Sequence, residues 1–184
     1  MWPQVCTAVI VSLLASPVGA VPASFTDIGS IGAPGVFTFD TIGSVQTPDS
    51  TVPGLDVDTG LGIWSADGTL LEQDDDDGPG LFSQITIALE PGTYFFGISE
   101  FDSIFADNFI NDGTGFEAGE IGNFQLNVNG VLAGSAIAGS DGTTTATEET
   151  AFFRATVAVP LPASLPLVLA GLAGLGLMTR RKRI

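Results

Sequence analysis

The 184-residue sequence contains no histidine, one cysteine and only five basic residues. Four of the basic residues form the cluster 180–183, so Arg154 is the only one in the rest of the chain. With its single cysteine at Cys6, the chain has no Ser–His–Asp or Cys–His catalytic set. It also lacks the nitrogen and sulfur ligands that zinc prefers. Carboxylates are therefore the reactive groups that the chain has in number.

Acidic residues dominate the central part of the chain, which we call the body. All 21 Asp and Glu residues lie between Asp27 and Glu149, and Arg154 alone opposes them, which gives the body a formal charge of −20. Binding to phosphates requires clustered lysine and arginine, which the body does not have. The composition therefore excludes nucleic acid as a partner, favours solubility and attracts cations.

The first twenty residues have the pattern of an export signal. The apolar segment 8–15 is too short to cross a bilayer, and residues 16–20 offer short side chains where signal peptidase recognises its substrates. No lysine or arginine precedes the apolar segment, which departs from the usual pattern. We predict a signal peptide over residues 1–20 that directs the chain to the Sec machinery and is cleaved by signal peptidase after Ala20, with Ala23 as the alternative site. The alternative is a buried strand or helix.

The C-terminal end has the pattern of a membrane span with a basic stop. Residues 160–178 carry no charge, and about 20 such residues cross a hydrocarbon core. The basic stop that follows consists of Arg180, Arg181, Lys182 and Arg183. By the positive-inside rule this cluster stays in the cytoplasm. The sequence thus predicts a membrane anchor with the body outside the cytoplasm.

A short motif precedes this span, and it consists of Val159, Pro160, Leu161, Pro162 and Ala163. Followed by the apolar span and the basic stop, it resembles the VPLPA-CTERM variant of the PEP-CTERM sorting domain. Proteins with such tails are processed by exosortase, a membrane-embedded cysteine peptidase of Gram-negative bacteria that make exopolysaccharide. The resemblance implies that the tail 159–184 is recognised and removed, with release or attachment at the cell surface. The alternative is a plain tail anchor.

The body has the pattern of an all-β domain. Its 24 glycines and 11 prolines, counted over the whole chain, disfavour long helices. Alternating apolar residues, as over 85–89, indicate half-buried strands, and Asp67-Gly68 and Asn129-Gly130 indicate tight hairpins. We predict a single domain over 24–158 with about eight strands, folded as an antiparallel, jelly-roll-like β-sandwich. We expect a long ordered loop over 103–122.

Segments of the body resemble the bacterial pre-peptidase C-terminal domain. These are the acidic strand entry and Asp-Gly hairpin over 56–71, the acidic run 74–77, and the Gly-Thr-Tyr strand over 91–98. The similarity extends over about residues 36–128, and the segment 103–122 is longer than this family would have. The resemblance implies a β-sandwich with a non-catalytic accessory role and, in some members, calcium binding.

Calcium is the metal that the acidic residues would suit, because Ca²⁺ takes about 6–8 oxygen ligands from carboxylates and carbonyls. Four consecutive aspartates repel one another, and a cation would relieve that repulsion. The spacing is not that of an EF-hand, since Pro79 stands where the loop needs glycine. The alternative is a solvated acidic loop. The predicted ligands are Asp56, Asp58, Asp74, Asp75, Asp76 and Asp77.

Three functions remain open from the sequence. The first is a structural or adhesive surface or matrix protein, which needs only the features above. The second is a calcium-dependent module that binds exopolysaccharide, for which exposed aromatic residues would be required. The third is a hydrolase with two carboxylates about 5–9 Å apart in a cleft. We predict no catalysis, because a body with no lysine and one arginine has little to hold a transition state. The aromatic candidates for sugar contact, which core packing would equally explain, are Trp64, Phe101, Phe105 and Phe109.

Overall fold

The computed structural model describes residues 22, 24–47, 58–100, 103–111, 121–139 and 150–160. The predicted signal peptide and most of the C-terminal tail lie outside these ranges. Among the described residues, no helix is both long enough and apolar enough to span a membrane. The predicted site residues that fall outside are Ala20, Asp56, Phe101, Leu161, Pro162, Ala163, Arg180, Arg181, Lys182 and Arg183.

The described part of the chain is all-β, as predicted. Its strands form two five-stranded sheets and one short hairpin. The first sheet has the order β1-β12-β7-β4-β5, and the second has the order β11-β10-β2-β6, with β3 also pairing with β10. In chain order the strands are β1 (Thr26–Gly32), β2 (Gly35–Asp40), β3 (Val45–Thr47), β4 (Thr59–Ser65), β5 (Leu70–Asp74), β6 (Gln84–Leu89), β7 (Gly92–Glu100), β8 (Phe105–Ala106), β9 (Ile110–Asn111), β10 (Ile121–Val128), β11 (Val131–Gly139) and β12 (Ala151–Val157).

The two large sheets pack their apolar faces together around one core, consistent with a β-sandwich. Phe39 of β2 and Phe96 of β7 are fully buried, with ring centroids 4.6 Å apart, and so connect the sheets. Phe124 and Phe153 are fully buried on the inner faces of β10 and β12. Each such side chain contributes about 1.5–3 kcal/mol by leaving water, so alternating apolar residues are enough to hold the two layers together.

Both predicted hairpin turns are present. Gly68 has a φ of +86° between β4 and β5, where the Ser65 amide donates to the Thr69 carbonyl at 3.0 Å. Asn129 and Gly130 have φ values of +52° and +74° between β10 and β11. Two successive residues at positive φ give the twist that a two-residue hairpin requires, and Asn-Gly adopts this conformation at low cost.

One strand pair differs from the predicted antiparallel arrangement. β1 runs parallel to β12, with Thr26 opposite Phe153, so the first sheet is mixed. Tight turns fix the direction only of strands that follow each other closely, and β1 and β12 are separated by nearly the whole domain. That intervening chain supplies the long crossover which a parallel pair needs. Arg154 of β12 forms an exposed ion pair with Asp27 of β1 across this strand pair.

The segment 103–111 is ordered, as predicted, but it contains two short strands where the sequence predicted only a loop. It contains β8, a single 3₁₀ turn over Asp107–Phe109 and β9, and it covers the outer face of the first sheet. The Trp64 indole N–H donates to the Ala106 carbonyl at 2.8 Å. Phe109 has a φ of +63°, which is unusual for a bulky residue, and its ring is buried beneath this segment. We call this segment the cover hairpin.

Candidate metal centre

Asp58, Asp75 and Asp76 come together because they flank two neighbouring strands. Asp58 directly precedes β4, and Asp75 and Asp76 directly follow β5. The two strands are antiparallel with Leu61 opposite Asp74, so the start of β4 and the end of β5 lie at the same end of the sheet. One carboxylate oxygen from each of the three aspartates lies within 4.8 Å of the others. We call this group the aspartate triad.

Asp74 holds the acidic loop in shape. Its Oδ2 accepts hydrogen bonds from the Gln84 amide at 2.7 Å and the Asp77 amide at 3.2 Å. The Gly78 amide then donates to the Phe82 carbonyl at 2.8 Å. These bonds turn the chain back after β5. The carboxylate of Asp74 is therefore used by the backbone, and Asp75 and Asp76 are directed towards Asp58.

A network of buried side-chain hydroxyl groups holds the start of β4 in place next to Asp58. The hydroxyls of Thr41 and Thr59 are 2.6 Å apart, and the Ser83 amide donates to both oxygens, at 3.0 and 3.2 Å. All three residues are fully buried. Sequence reasoning missed them, because a single Ser or Thr at the end of a strand looks the same whether it is buried or exposed.

Asp58 is the member of the triad with a buried carboxylate oxygen. Its Oδ1 is buried and has no hydrogen-bond partner among the residues that the structure describes. Burial, reinforced by the negative charges of Asp75 and Asp76, raises the pKa of Asp58 to about 6. A buried carboxylate oxygen without a donor is costly, and a cation is one partner that would remove the cost.

The triad contains three of the six predicted calcium ligands. Asp58, Asp75 and Asp76 converge, whereas Asp74 and Asp77 do not belong to the group. Asp56 lies outside the described residues. Asp74 cannot also face the ion, because its carboxylate binds the backbone of the loop that carries Asp75 and Asp76. The sequence alone does not show which aspartate of the run has this role.

The chemistry of the triad suits a hard divalent cation. Its oxygen donors match Ca²⁺ or Mg²⁺, and there is no soft ligand to favour zinc or copper. Asp75 and Asp76 are exposed, so water or another ligand can reach an ion held there. Calcium sites with few charged ligands and little rigidity bind at the weak end of the known range, with dissociation constants of about 10⁻⁴–10⁻³ M.

The aromatic candidates for sugar contact are buried where the structure describes them. Trp64, Phe105 and Phe109 form a second core with Phe95 and Phe152 under the cover hairpin. Trp64 is 0% exposed, and the Phe105 ring meets it edge-on at 5.2 Å. The core-packing interpretation is confirmed for these three residues.

A cleft of about 590 Å³ lies beside β11, away from the triad. Its lining is neutral and mostly polar, and no carboxylate contributes to it. The predicted geometry for a hydrolase, two carboxylates in one cleft, is therefore not present in this cleft. Residues that line it include Ser24, Phe25, Asn123, Ser135, Ile137 and Thr150.

The chain has no significant match among protein-family models, curated proteins or solved structures. The resemblances to the VPLPA-CTERM tail and to the pre-peptidase C-terminal domain therefore stay predictions. Function has to be inferred from the chain's own residues.

Proposed function

We propose that this chain is an exported surface or matrix protein of a Gram-negative bacterium. The signal peptide 1–20 directs it to the Sec machinery, and the tail 159–184 holds it in the inner membrane until exosortase removes the tail. The acidic β-domain over 24–158, jelly-roll-like in form, then remains outside with a non-catalytic structural or adhesive role. The observation that carries this proposal is the order of motif, apolar span and basic stop after Val159.

The end of the fold supports the proposed boundary. Val157 ends β12 and is 3% exposed, and the Ala158 amide still donates to the Gly32 carbonyl at 2.7 Å. Val159, the first residue of the motif, is 73% exposed. Burial therefore stops where the predicted sorting signal begins, since the two described residues of the motif, Val159 and Pro160, are exposed.

Intact mass spectrometry of the protein from its native cells tests this proposal. We expect a chain that begins at Val21 and ends near Pro162, without the span and the basic stop. A matched variant with alanine in place of Pro160 and Pro162 should keep the tail, because the motif is lost while the span is unchanged. A native chain that retains Arg180 to Ile184 would contradict exosortase processing.

A second candidate function, calcium-dependent binding, is favoured by the buried Oδ1 of Asp58. An ion held by the triad would keep coordination positions open to solvent, since Asp75 and Asp76 are exposed. Sugar hydroxyls or carboxylates can occupy such positions. We propose that exopolysaccharide binds through oxygen ligands to this ion. Trp64, Phe105 and Phe109 are buried in the core and cannot stack on a sugar.

Titration of the protein with CaCl₂ tests the ion site. In buffer freed of metal with EDTA and then dialysed, we expect heat of binding and a rise in Tm at millimolar calcium. At tenfold excess over Kd the rise corresponds to about 1.4 kcal/mol. Asp58→Asn should weaken binding at least tenfold. Glu72→Gln removes one exposed acidic charge from β5 outside the triad and should leave binding unchanged. Absence of both heat and Tm shift in the unmodified chain would rule out calcium.

A further inference from the structure

β11 is an exposed edge strand without the usual protection against pairing. It stands last in the second sheet, so one side of its backbone has no strand partner among the described residues. Its nine residues include no charge and no proline. Val131, Leu132 and Ile137 are 68%, 55% and 73% exposed. Long, uncharged, apolar edges are the ones that pair with another strand.

The other sheet edges differ from β11. β5 carries Glu72 and Asp74, and β1 carries Asp27 together with two register irregularities. Charges and bulges of this kind prevent edge-to-edge pairing. β6 is uncharged, but it is shorter and lies next to β5 of the facing sheet. β11 has one irregularity, near Ala133, and remains regular from Gly134 to Gly139.

The distribution of charge favours β11 as the meeting point of two copies. Two bodies of charge −20 repel each other wherever their acidic surfaces meet. β5, with the triad after it, forms the far edge of the first sheet, whereas β11 packs near β1 and β12. The exposed side chains of β11 and of its neighbour β10 are neutral, as at Asn123, Ser135 and Ile137. Contact through β11 therefore keeps the two acidic edges apart.

We propose that β11 is a docking edge that pairs antiparallel with β11 of a second copy of this chain. Such pairing is self-complementary about a twofold axis, and it satisfies backbone groups on both edges. The cleft beside β11, with Phe25 and Ile137 in its lining, would receive side chains of the incoming strand. The proposal does not depend on the calcium site or on the sorting tail.

Cysteine cross-linking of the full-length chain in a nonionic detergent tests the geometry. In a Cys6→Ser background, Ser135→Cys places a thiol at the middle of β11, and Thr86→Cys places one on the exposed face of β6. Near a twofold axis, equal residues of two copies approach each other. We expect a disulfide-linked dimer with Ser135→Cys only. Equal cross-linking of both variants, or of neither, would overturn the proposal.

Sedimentation of the same chain tests the energetics. Ile137→Glu should weaken dimerisation at least tenfold, because it adds a like charge to both edges. Val36→Glu is the control, since Val36 is 68% exposed on β2, two strands from the edge. It should leave the dimer intact. The apolar tail is the same in all variants. NaCl should strengthen the dimer by screening the acidic bodies. A monomer at all concentrations, or equal loss with both variants, would contradict edge pairing.

Discussion

In the folded protein, the surroundings of Asp58 disfavour the ionised form of its carboxyl group. Its Oδ1 receives no hydrogen bond from the described part of the chain, and one carboxylate oxygen of Asp75 and one of Asp76 lie within 4.8 Å of an Asp58 carboxylate oxygen. The pKa of Asp58 is therefore about 6 in the fold, against an ordinary value of 3.8. Between these values the folded chain holds a proton that the unfolded chain has released. Ionisation of Asp58 thus works against folding, and the penalty is complete above pH 6.

The raised pKa of Asp58 predicts that this residue makes the free energy of unfolding depend on pH. In EDTA, the free energy of unfolding of wild type relative to Asp58→Asn should fall as pH rises from about 4 to about 6, and then level off. Saturating calcium should remove the fall, because the ion binds the ionised carboxylate. Urea unfolding of both proteins at several pH values measures the difference. A difference that is flat with pH, or that rises, would show that Asp58 is not destabilised by ionisation.

At the scale of elements, the cover hairpin buries the aromatic residues on the outer face of the first sheet. It closes over the outer face of the first sheet, so Trp64 becomes a core residue with a bonded indole N–H. Asn108 and Phe109 both have positive φ, +65° and +63°, and this turn directs the Phe109 ring inwards. The ring lies 5.1 Å from Phe95 and 5.8 Å from Trp64. Contacts with both side chains offset the backbone strain.

Removal of the Phe109 ring should therefore loosen the cover hairpin. We expect Phe109→Ala to lower the free energy of unfolding by about 3–5 kcal/mol, which is the usual cost of a buried phenylalanine. Asn108→Gly is the matched control on the same turn, because glycine accepts positive φ and the Asn108 side chain is exposed. It should change stability by about 0.5 kcal/mol or less. Denaturant unfolding measures both, and a neutral Phe109→Ala would mean that the hairpin contributes no packing energy.

The elements that could be predicted from sequence are those set by local pattern. Alternation over 85–89 gave β6, and Asp67-Gly68 and Asn129-Gly130 gave the two hairpins, because period and turn chemistry are local properties. The parallel pairing of β1 with β12 depends on residues far apart in the chain. The fold of 103–111 depends on the aromatic side chains it covers, and sequence shows no period there.

The same distinction applies to the candidate site. An acidic run beside a strand entry predicted that carboxylates would meet near Asp58, and three of them do. Which three converge depends on the hydrogen bonds that Asp74 accepts from the backbone amides of Gln84 and Asp77, and on the buried network of Thr41, Thr59 and Ser83. These are tertiary contacts with no signature in the order of residues.

At the scale of the whole molecule, repulsion between like charges opposes folding, and salt in the solution can weaken this repulsion. The body carries −20, and its single arginine is engaged with Asp27 and stacked over Phe25 at 4.6 Å. That ion pair is exposed, and exposed pairs contribute little. Repulsion among 21 carboxylates therefore outweighs attraction, and it acts over the distance that salt sets.

Stability should accordingly rise with monovalent salt in the absence of divalent ions. The screening length falls from about 30 Å at 10 mM to about 8 Å at 150 mM, which is shorter than the separation of most acidic groups across a domain of this size. We expect Tm in EDTA to rise over this range, equally with NaCl and with choline chloride, because screening does not depend on the cation. Thermal unfolding by circular dichroism measures this rise in Tm.

Calcium at a few millimolar should raise Tm further than NaCl does at equal ionic strength. Asp58→Asn should lose this calcium-dependent rise and keep the response to NaCl. A Tm that falls with salt would mean that attraction, such as the Arg154–Asp27 pair, outweighs repulsion in the folded body.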